Sequence, residues 1–354
     1  MNADKAQIQS EVIAEESTSS VLTTAVDAVA DLISEASIPA PIRKNLFKAF
    51  NQLCIAAMDI PVAHLEGIAA EKRAETSARV NIINTSGEQI SKKIDVSPEF
   101  SNIAIKKYGQ KILREQVNLN NISEIAAIEI KKENTPLEDS IEATNQTPEI
   151  SDDWLNSFEK EACLKSTEEM QQLFGRILAG EIRKPTSFSI KTVKLIGQLD
   201  SKVVNLFNTF CSLSVSLTFS DYQDIRVVSI AGNASTNKLS QFGLNFDDLN
   251  ILHEYGLIIP EYNSSMDYCH AFLKNGAVYA PFKYQNSYWV LKALDGNILP
   301  EKLELSGVAL SNVGRELFKI VTIESNDTYK VALIDFFKNK NLEMIQLNTI
   351  IHNK

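Results

Sequence analysis

The 354-residue sequence has few of the residues on which most catalytic and metal sites depend. Its four cysteines show no CxxC spacing, and none of its four histidines has a second histidine or a carboxylate at metal-ligand spacing. The 13 glycines are dispersed, so no Walker or Rossmann phosphate loop is present. We therefore predict a non-enzymatic protein without a metal site, a disulfide framework or a cofactor. A catalytic site assembled from distant residues stays open.

An excess of positive charge and a long apolar run are missing as well. Lys and Arg number 35 against 45 Asp and Glu, and the formal net charge of −10 disfavours a broad nucleic-acid-binding face. No uncharged apolar run reaches the roughly 18 residues of a membrane span, and no signal peptide opens the sequence. Together with cysteines that lack a pairing pattern, these absences predict a cytoplasmic protein.

The N-terminal part of the sequence contains a series of helical patterns. Residues 1–20 are acidic and rich in Ser and Thr, which predicts a disordered tail. Amphipathic helices are predicted over 21–34, 42–58 and 61–87, with two more inside 97–132. Because several apolar faces are sparsely filled, we interpret residues 21–133 as a helical assembly domain that forms a homo-oligomer, followed by a polar linker at 134–150. The basic side of the 42–58 helix leaves a membrane-surface role open.

The clearest helical periodicity lies in residues 151–215, which we interpret as a central helical bundle. Ser166 with Glu169 predicts a capping box at the start of its best helix. Pro185 predicts that this helix ends near residues 182–183. The N-caps of the next two helices are predicted to be Ser189 and Asp200.

Two glycines lie inside that best helix. Gly175 and Gly180 each cost about 1 kcal/mol of helix stability relative to alanine. Their presence predicts either the close approach of a neighbouring element or a binding pocket at Gly180 and Glu181.

Residues 216–354 change to a mixed pattern, which predicts an α+β C-terminal module. Strands are predicted over 216–230, 276–279 and 287–293, and a tail of strand, helix and strand begins at Tyr329. A short helix begins after its N-cap Asn245 and ends at Gly256, which is expected in the left-handed conformation. This helix, a following β-ribbon and the segment LSNVGREL resemble a winged-helix domain. The helix carries acidic residues and no Lys or Arg, so protein docking is favoured over DNA binding.

The segments LFGRILAGEI (residues 173–182) and KPTSFSIKTVKLIGQL (184–199) resemble the signature of the bacterial family called domain of unknown function 2806. The segment IPVAHLEGIAAEKRAETSARVNII (60–83) is similar to an upstream part of that family. The same sequence segments show a looser similarity to the abortive-infection alpha proteins, which implies a setting in phage defence. The chain departs from the family at Phe174, where Trp is usual, and at Thr186, where Gly is usual; we interpret both as packing changes.

The fold class predicted for the whole chain is mainly α with a C-terminal α+β part. We predict an interaction and assembly protein that binds a protein partner, associates with itself, or does both. The alternatives are a winged-helix DNA-binding regulator and a membrane-surface effector. The candidate interaction residues, expected to be exposed, are Arg73, Arg79, Glu181, Arg183 and Lys184.

Overall fold

The computed structural model describes residues 38–54, 98–132, 148–220, 222–230 and 236–347. The chain divides into two compact units, Met1–Gly197 and Gln198–Lys354. The predicted tail at 1–20, the helices at 21–34 and 61–87 and most of the linker at 134–150 lie outside the described residues. The boundary between the units falls inside the stretch that we interpreted as one central bundle.

In the described part of the first unit, every regular element is a helix. These are α1 (Ala40–Leu53), α2 (Pro98–Lys132), α3 (Asp152–Ala162), α4 (Glu168–Arg183) and α5 (Ile190–Gln198), of which α5 ends at the unit boundary. The predicted end of α4 is confirmed, because Lys184 is extended and Pro185 follows it. The start of α4 was predicted one residue early: its N-cap is Thr167, and no side chain caps it. Ser189 does cap α5, since its Oγ accepts from Thr192 N at 3.2 Å.

Helix α2 runs unbroken for 35 residues, so the prediction of two helices between 97 and 132 was wrong. The polar residues near its middle stay helical because their side chains bond to neighbouring elements. Asn118 Nδ2 donates to Cys163 O at 2.8 Å, and Asn121 Nδ2 donates to Gln171 Oε1 at 3.3 Å. Such tertiary partners remove the competition that Asn usually makes with helical backbone.

The core of the first unit is built around stacked aromatic rings. Trp154 and Phe158 of α3 stack with centroids 5.1 Å apart, and Phe158 meets Phe174 of α4 edge-on at 5.5 Å. The apolar face of α1 is buried in the same unit, through Leu46 and Phe50 among others. Aromatic pairs of this kind add to the free energy gained from burial alone.

The second unit is α+β, as predicted. Its helices are α6 (Ser201–Leu213), α7 (Phe246–Glu254), α8 (Asn312–Phe318) and α9 (Asp327–Lys338), and short 3-10 turns lie at Lys238–Phe242 and Cys269–Ala271. Its strands are β1 (Val215–Phe219), β2 (Tyr222–Val228), β3 (Ser264–Asp267), β4 (Phe282–Tyr284), β5 (Ser287–Ala293), β6 (Glu304–Ala309) and β7 (Leu342–Leu347). They form one antiparallel sheet in the order β3-β6-β2-β1-β4-β5-β7.

In the second unit, the predicted helix ends are confirmed and two of the predicted strands are wrong. Asp200 caps α6, Asn245 forms a capping box at α7, and Gly256 after α7 has a φ of +66°. Residues 276–279 are not a strand, because the hairpin partner of β5 is β4. Tyr329 lies in α9 rather than in a strand, and its buried hydroxyl donates to Val228 O at 3.0 Å.

A buried ion pair lies on β2. Asp224 and Arg226 are 2% and 3% exposed, and their side chains share one face of the strand. The guanidinium donates to both carboxylate oxygens, at 2.6 and 2.8 Å, and to the carbonyls of Ser264 at 2.6 Å and Leu305 at 2.8 Å. Tyr268 also donates to the carboxylate, at 2.9 Å. The arginine thereby ties β2 to β3 and β6.

Candidate functional site

The end of α4 contains the predicted site residues, and one buried carboxylate holds it together. Glu181 is 2% exposed, so the expectation that it lies on the surface was wrong. Its two oxygens accept hydrogen bonds from Thr186 N at 2.6 Å and Phe188 N at 3.0 Å. Because these donors belong to the loop that follows α4, the carboxylate fixes the path of the chain toward α5.

The two glycines of α4 are explained by close packing. A Cβ on Gly175 would lie 2.5 Å from Ile125 Cγ2, and one on Gly180 would lie 2.7 Å from Phe188 Cε2. The Phe188 carbonyl accepts a hydrogen bond from Trp154 Nε1 at 2.8 Å, which anchors this loop to α3. Of our two explanations, the close approach of neighbouring elements is confirmed, and the Phe188 ring fills the space beside Gly180.

Arg183 caps the far end of α2. Its Nη2 donates to the carbonyls of Glu129 at 2.8 Å and Ile130 at 2.9 Å, which are among the last carbonyls of that helix and lack helical partners. A cation at a helix C-terminus is also favoured by the helix dipole. Burial lowers the pKa of the Arg183 guanidinium, against the opposite effect of Glu129. Arg183 therefore stabilises the contact between α2 and α4.

The remaining predicted site residues are Lys184, Arg73 and Arg79. Lys184 is exposed at the end of α4. Arg73 and Arg79 lie outside the described residues. The structure thus brings Glu181 and Arg183 together as supports of the fold around α4. Their role, together with that of Lys184, in binding a partner remains a prediction.

Thr186 adopts an uncommon backbone conformation, with a φ of +69°. A β-branched residue is strained in the left-handed region, whereas glycine enters it freely. At the position where the resemblance to the family signature implies Gly, Thr186 is therefore a change in backbone conformation. This corrects our interpretation of Thr186 as a packing change.

Replacing Thr186 by glycine is expected to raise the free energy of unfolding by about 0.5–1 kcal/mol, because the strain at positive φ is removed. Urea unfolding followed by circular dichroism measures this. Ser187→Gly is the matched control: Ser187 has no positive φ, and its Oγ donates to Lys184 O at 2.6 Å. The control should lose stability, and a loss in both variants would contradict the assignment of strain to Thr186.

In the N-terminal half of α2, the residues whose side chains are described up to 114 are exposed although several of them are apolar. Residues 103–104 and 106–114, called here the exposed half of α2, are all exposed. Tyr108 and Ile112 within it are 51% and 37% exposed. They precede the buried residues Leu119, Ile122, Ala126 and Ile130 at spacings of three, four and seven residues, which is one face of a helix. The face that packs inside the unit therefore continues into the exposed half.

Sequence reasoning did not select Tyr108 or Ile112 as interaction residues. The signal that would have found them is the unbroken helical spacing from Tyr108 to Ile130. The prediction of two separate helices concealed this spacing.

The described residues were compared with the requirements of a metal site, a membrane span and a disulfide. No group of three or more His, Cys, Asp or Glu in this part of the chain could hold a metal ion. Among the described helices, none combines the length and apolar character that crossing a membrane requires. All four cysteines are unpaired, and burial raises the pKa of Cys54 to about 11. What stands out is therefore a surface, the exposed half of α2.

These features define a protein of two units, of which the first is helical in its described part and the second is α+β. The signature residues 173–182 and 184–199 form the end of α4, the loop after it and α5. A family model described as "Protein of unknown function (DUF2806)" matches residues 104–334, more than half of the chain. The protein belongs to the DUF2806 family. No curated protein matches it, and no solved structure matches it. The looser similarity to abortive-infection alpha proteins stays a prediction.

Proposed function

We propose that this protein is a non-enzymatic interaction and assembly protein, in which the helical unit mediates association and the α+β unit binds a protein partner. The observation that carries the proposal is the exposed half of α2. Apolar residues that continue a buried helical face gain free energy when a partner covers them. A helical segment whose side chains are exposed gains little from tertiary packing and is marginal in water, so a partner would stabilise it. The family match begins at residue 104 and covers this surface except for Ile103.

Replacing Ile112 by glutamate is expected to abolish association, because it places a charge in the apolar face of the exposed half. Sedimentation velocity at micromolar concentration would show the loss as a smaller sedimenting species. The matched control is Ile103→Glu. Ile103 is 57% exposed and aligns with Lys107 and Arg114, on the opposite side of the helix. Equal effects of the two variants would count against a docking face at Ile112.

For the α+β unit, winged-helix likeness is supported by the neighbouring order β3-β6-β2, with α7 between β2 and β3 and α8 after β6. In a winged-helix interpretation, strands β4 and β5 would be the long insertion between its two halves. The exposed residues of α7 include Asp247, His253 and Glu254 but no Lys or Arg. Because DNA readout needs cations for the phosphates, a protein partner is favoured over DNA. Retention of duplex DNA that weakens steeply with salt would reverse this preference.

The membrane-surface alternative has less support. The apolar residues Leu46 and Phe50 of α1 are buried, and its basic residues Lys44 and Lys48 pair with Glu149 and Asp152. A helix that lies on a lipid surface needs its apolar face free. Flotation of the protein with anionic liposomes would revive this alternative.

The setting we propose is the cytoplasm of a bacterium, in a response to phage. Unpaired cysteines support a reducing compartment, and the looser resemblance to abortive-infection proteins supports the response. Expression in a susceptible bacterium should lower the efficiency of phage plating, and Ile112→Glu should restore it. Unchanged plating with the native protein would count against this setting.

A further inference from the structure

We infer that the exposed face of α7 binds a basic segment of another protein, whose Lys or Arg side chains lie against carboxylates and aromatic rings of that face. This inference rests on the proposed function, in which the α+β unit binds a protein partner. It deepens that proposal by assigning the docking face and the charge of the partner.

The exposed face of α7 is centred on Asn250. Residues three and four positions away along a helix are neighbours on its surface, so four side chains surround Asn250. All four are exposed: Phe246, Asp247, His253 and Glu254. The buried residues Leu249 and Leu252 lie on the other side of the helix. Asn250 and its four neighbours are called here the α7 face.

Tyr262 joins the α7 face from the segment that follows the helix. Its hydroxyl donates to Asn250 Oδ1 at 2.9 Å. Its ring meets the Phe246 ring edge-on with centroids 5.8 Å apart, and the His253 ring edge-on at 6.2 Å. Burial raises the pKa of Tyr262, with a further contribution from the Glu254 carboxylate, so the hydroxyl stays neutral. Because Phe246 is 39% exposed, this cluster of rings presents aromatic surface to the solvent.

The charged residues around the α7 face are acidic. Between Lys238 and Lys274 the sequence has no Lys or Arg, whereas Asp247, Glu254 and Glu261 are exposed carboxylates. The ion pairs of the described residues include none of these three. Both carboxylates and the faces of aromatic rings attract cations. The surface is therefore complementary to Lys or Arg of a partner.

Elsewhere in the same unit, the chain itself supplies the cations that lie over aromatic rings. These pairs are Lys274 with Phe272 at 5.8 Å, Lys330 with Trp289 at 5.4 Å, and Lys340 with Phe336 at 5.1 Å. In the part of the chain that the structure describes, no such pair uses the ring of Phe246 or Tyr262. These two rings are thus open to a cation from another molecule.

Glu254 is the carboxylate that the stability of α7 does not explain. It is the last residue of the helix, where the helix dipole favours a cation over an anion. Asp247 differs, because it lies in the first turn, where the dipole favours negative charge. The two residues are seven positions apart, so two turns of helix place them about 10 Å from each other on one side. A basic segment with cations at this spacing would contact both.

Replacing Glu254 by lysine is expected to weaken the binding of a basic peptide at least about fivefold, because an attraction becomes a repulsion. The probe is a short alanine-rich helical peptide with two lysines seven residues apart. Fluorescence anisotropy of the labelled peptide measures its dissociation constant from the full-length chain. Since lysine suits the end of a helix, circular dichroism should show that the variant keeps its fold.

Glu324→Lys is the matched control. It changes the net charge by the same amount at an exposed position between α8 and α9, and should leave the dissociation constant almost unchanged. Phe246→Leu tests the rings: leucine keeps apolar bulk but has no aromatic face, so peptide binding should weaken about two- to fivefold.

Two results would overturn the α7 face and leave the proposed function standing. One is a native chain that does not bind the lysine peptide. The other is equal weakening by Glu254→Lys and Glu324→Lys, which would show attraction to the overall charge only. Failure of the proposed function would look different: a tagged native chain would retain no protein from a bacterial lysate, and both proposals would fall.

Discussion

Replacing Asp224 by alanine is expected to lower the free energy of unfolding by about 3–5 kcal/mol, the largest effect among the substitutions considered. The variant leaves the Arg226 guanidinium buried without its counter-charge, at a site 3% exposed. The Tyr268 hydroxyl also loses its acceptor. Burial and the adjacent Asp224 carboxylate raise the pKa of Tyr268, so this hydroxyl keeps its proton and needs an acceptor. Urea unfolding monitored by tryptophan fluorescence measures the loss.

Two controls test whether the loss of stability comes from leaving a buried charge unpaired. Asp335→Ala breaks an exposed pair with Lys338, whose side chains are 61% and 58% exposed, and should change stability by less than about 0.5 kcal/mol. The double variant Asp224→Leu with Arg226→Met should lose less than Asp224→Ala, because it leaves no buried charge behind. If the double variant is the less stable, the unpaired arginine is not the cause.

Replacing Glu181 by alanine is expected to lower the free energy of unfolding by about 1–3 kcal/mol. The backbone N–H groups of Thr186 and Phe188 lose their acceptors. Phe188 is buried, and an unsatisfied buried donor costs about 1–3 kcal/mol, whereas Thr186 is exposed and its N–H can bond to water. Because the carboxylate fixes the loop after α4, packing of Phe188 against Gly180 should loosen as well. Hydrogen exchange at these two amides should accelerate together.

The isosteric variant sharpens the test of Glu181. Glu181→Gln keeps the shape but retains only one carbonyl oxygen for two donors, so it should lose roughly half as much as Glu181→Ala. Lys184→Ala, at an exposed position of the same segment, should lose less than about 0.5 kcal/mol. A stable Glu181→Ala variant with slow exchange at Phe188 would show that the loop is held by other contacts.

Local chemistry predicted many of the helix ends correctly. Asp200, Asn245 and Gly256 act within a few residues, and each has the predicted role. The end of α4 before Pro185 is local for the same reason. Such signals depend on backbone conformations that short segments favour by themselves.

The features that failed depend on distant partners. The sequence predicted two helices where α2 is continuous. The hydrogen bonds of Asn118 and Asn121 to other elements keep this region helical, and the sequence does not reveal those partners. Arg183 donates to carbonyls that are 53 and 54 residues away in the sequence. Arg226 donates to the Leu305 carbonyl, which is 79 residues away. Sequence spacing cannot supply such pairings. The candidate surface on α2 was hidden by the same error, since its face is recognised only when the helix is continuous.

The mass of the full-length protein in solution, measured by light scattering over a concentration series, tests the central claim most directly. Self-association through α2 predicts a discrete oligomer, an integral multiple of the 39.4 kDa chain, which falls to the mass of one chain in the Ile112→Glu variant and not in Ile103→Glu. A native protein of 39.4 kDa at every concentration would contradict self-association and leave the α+β unit as the remaining candidate for partner binding.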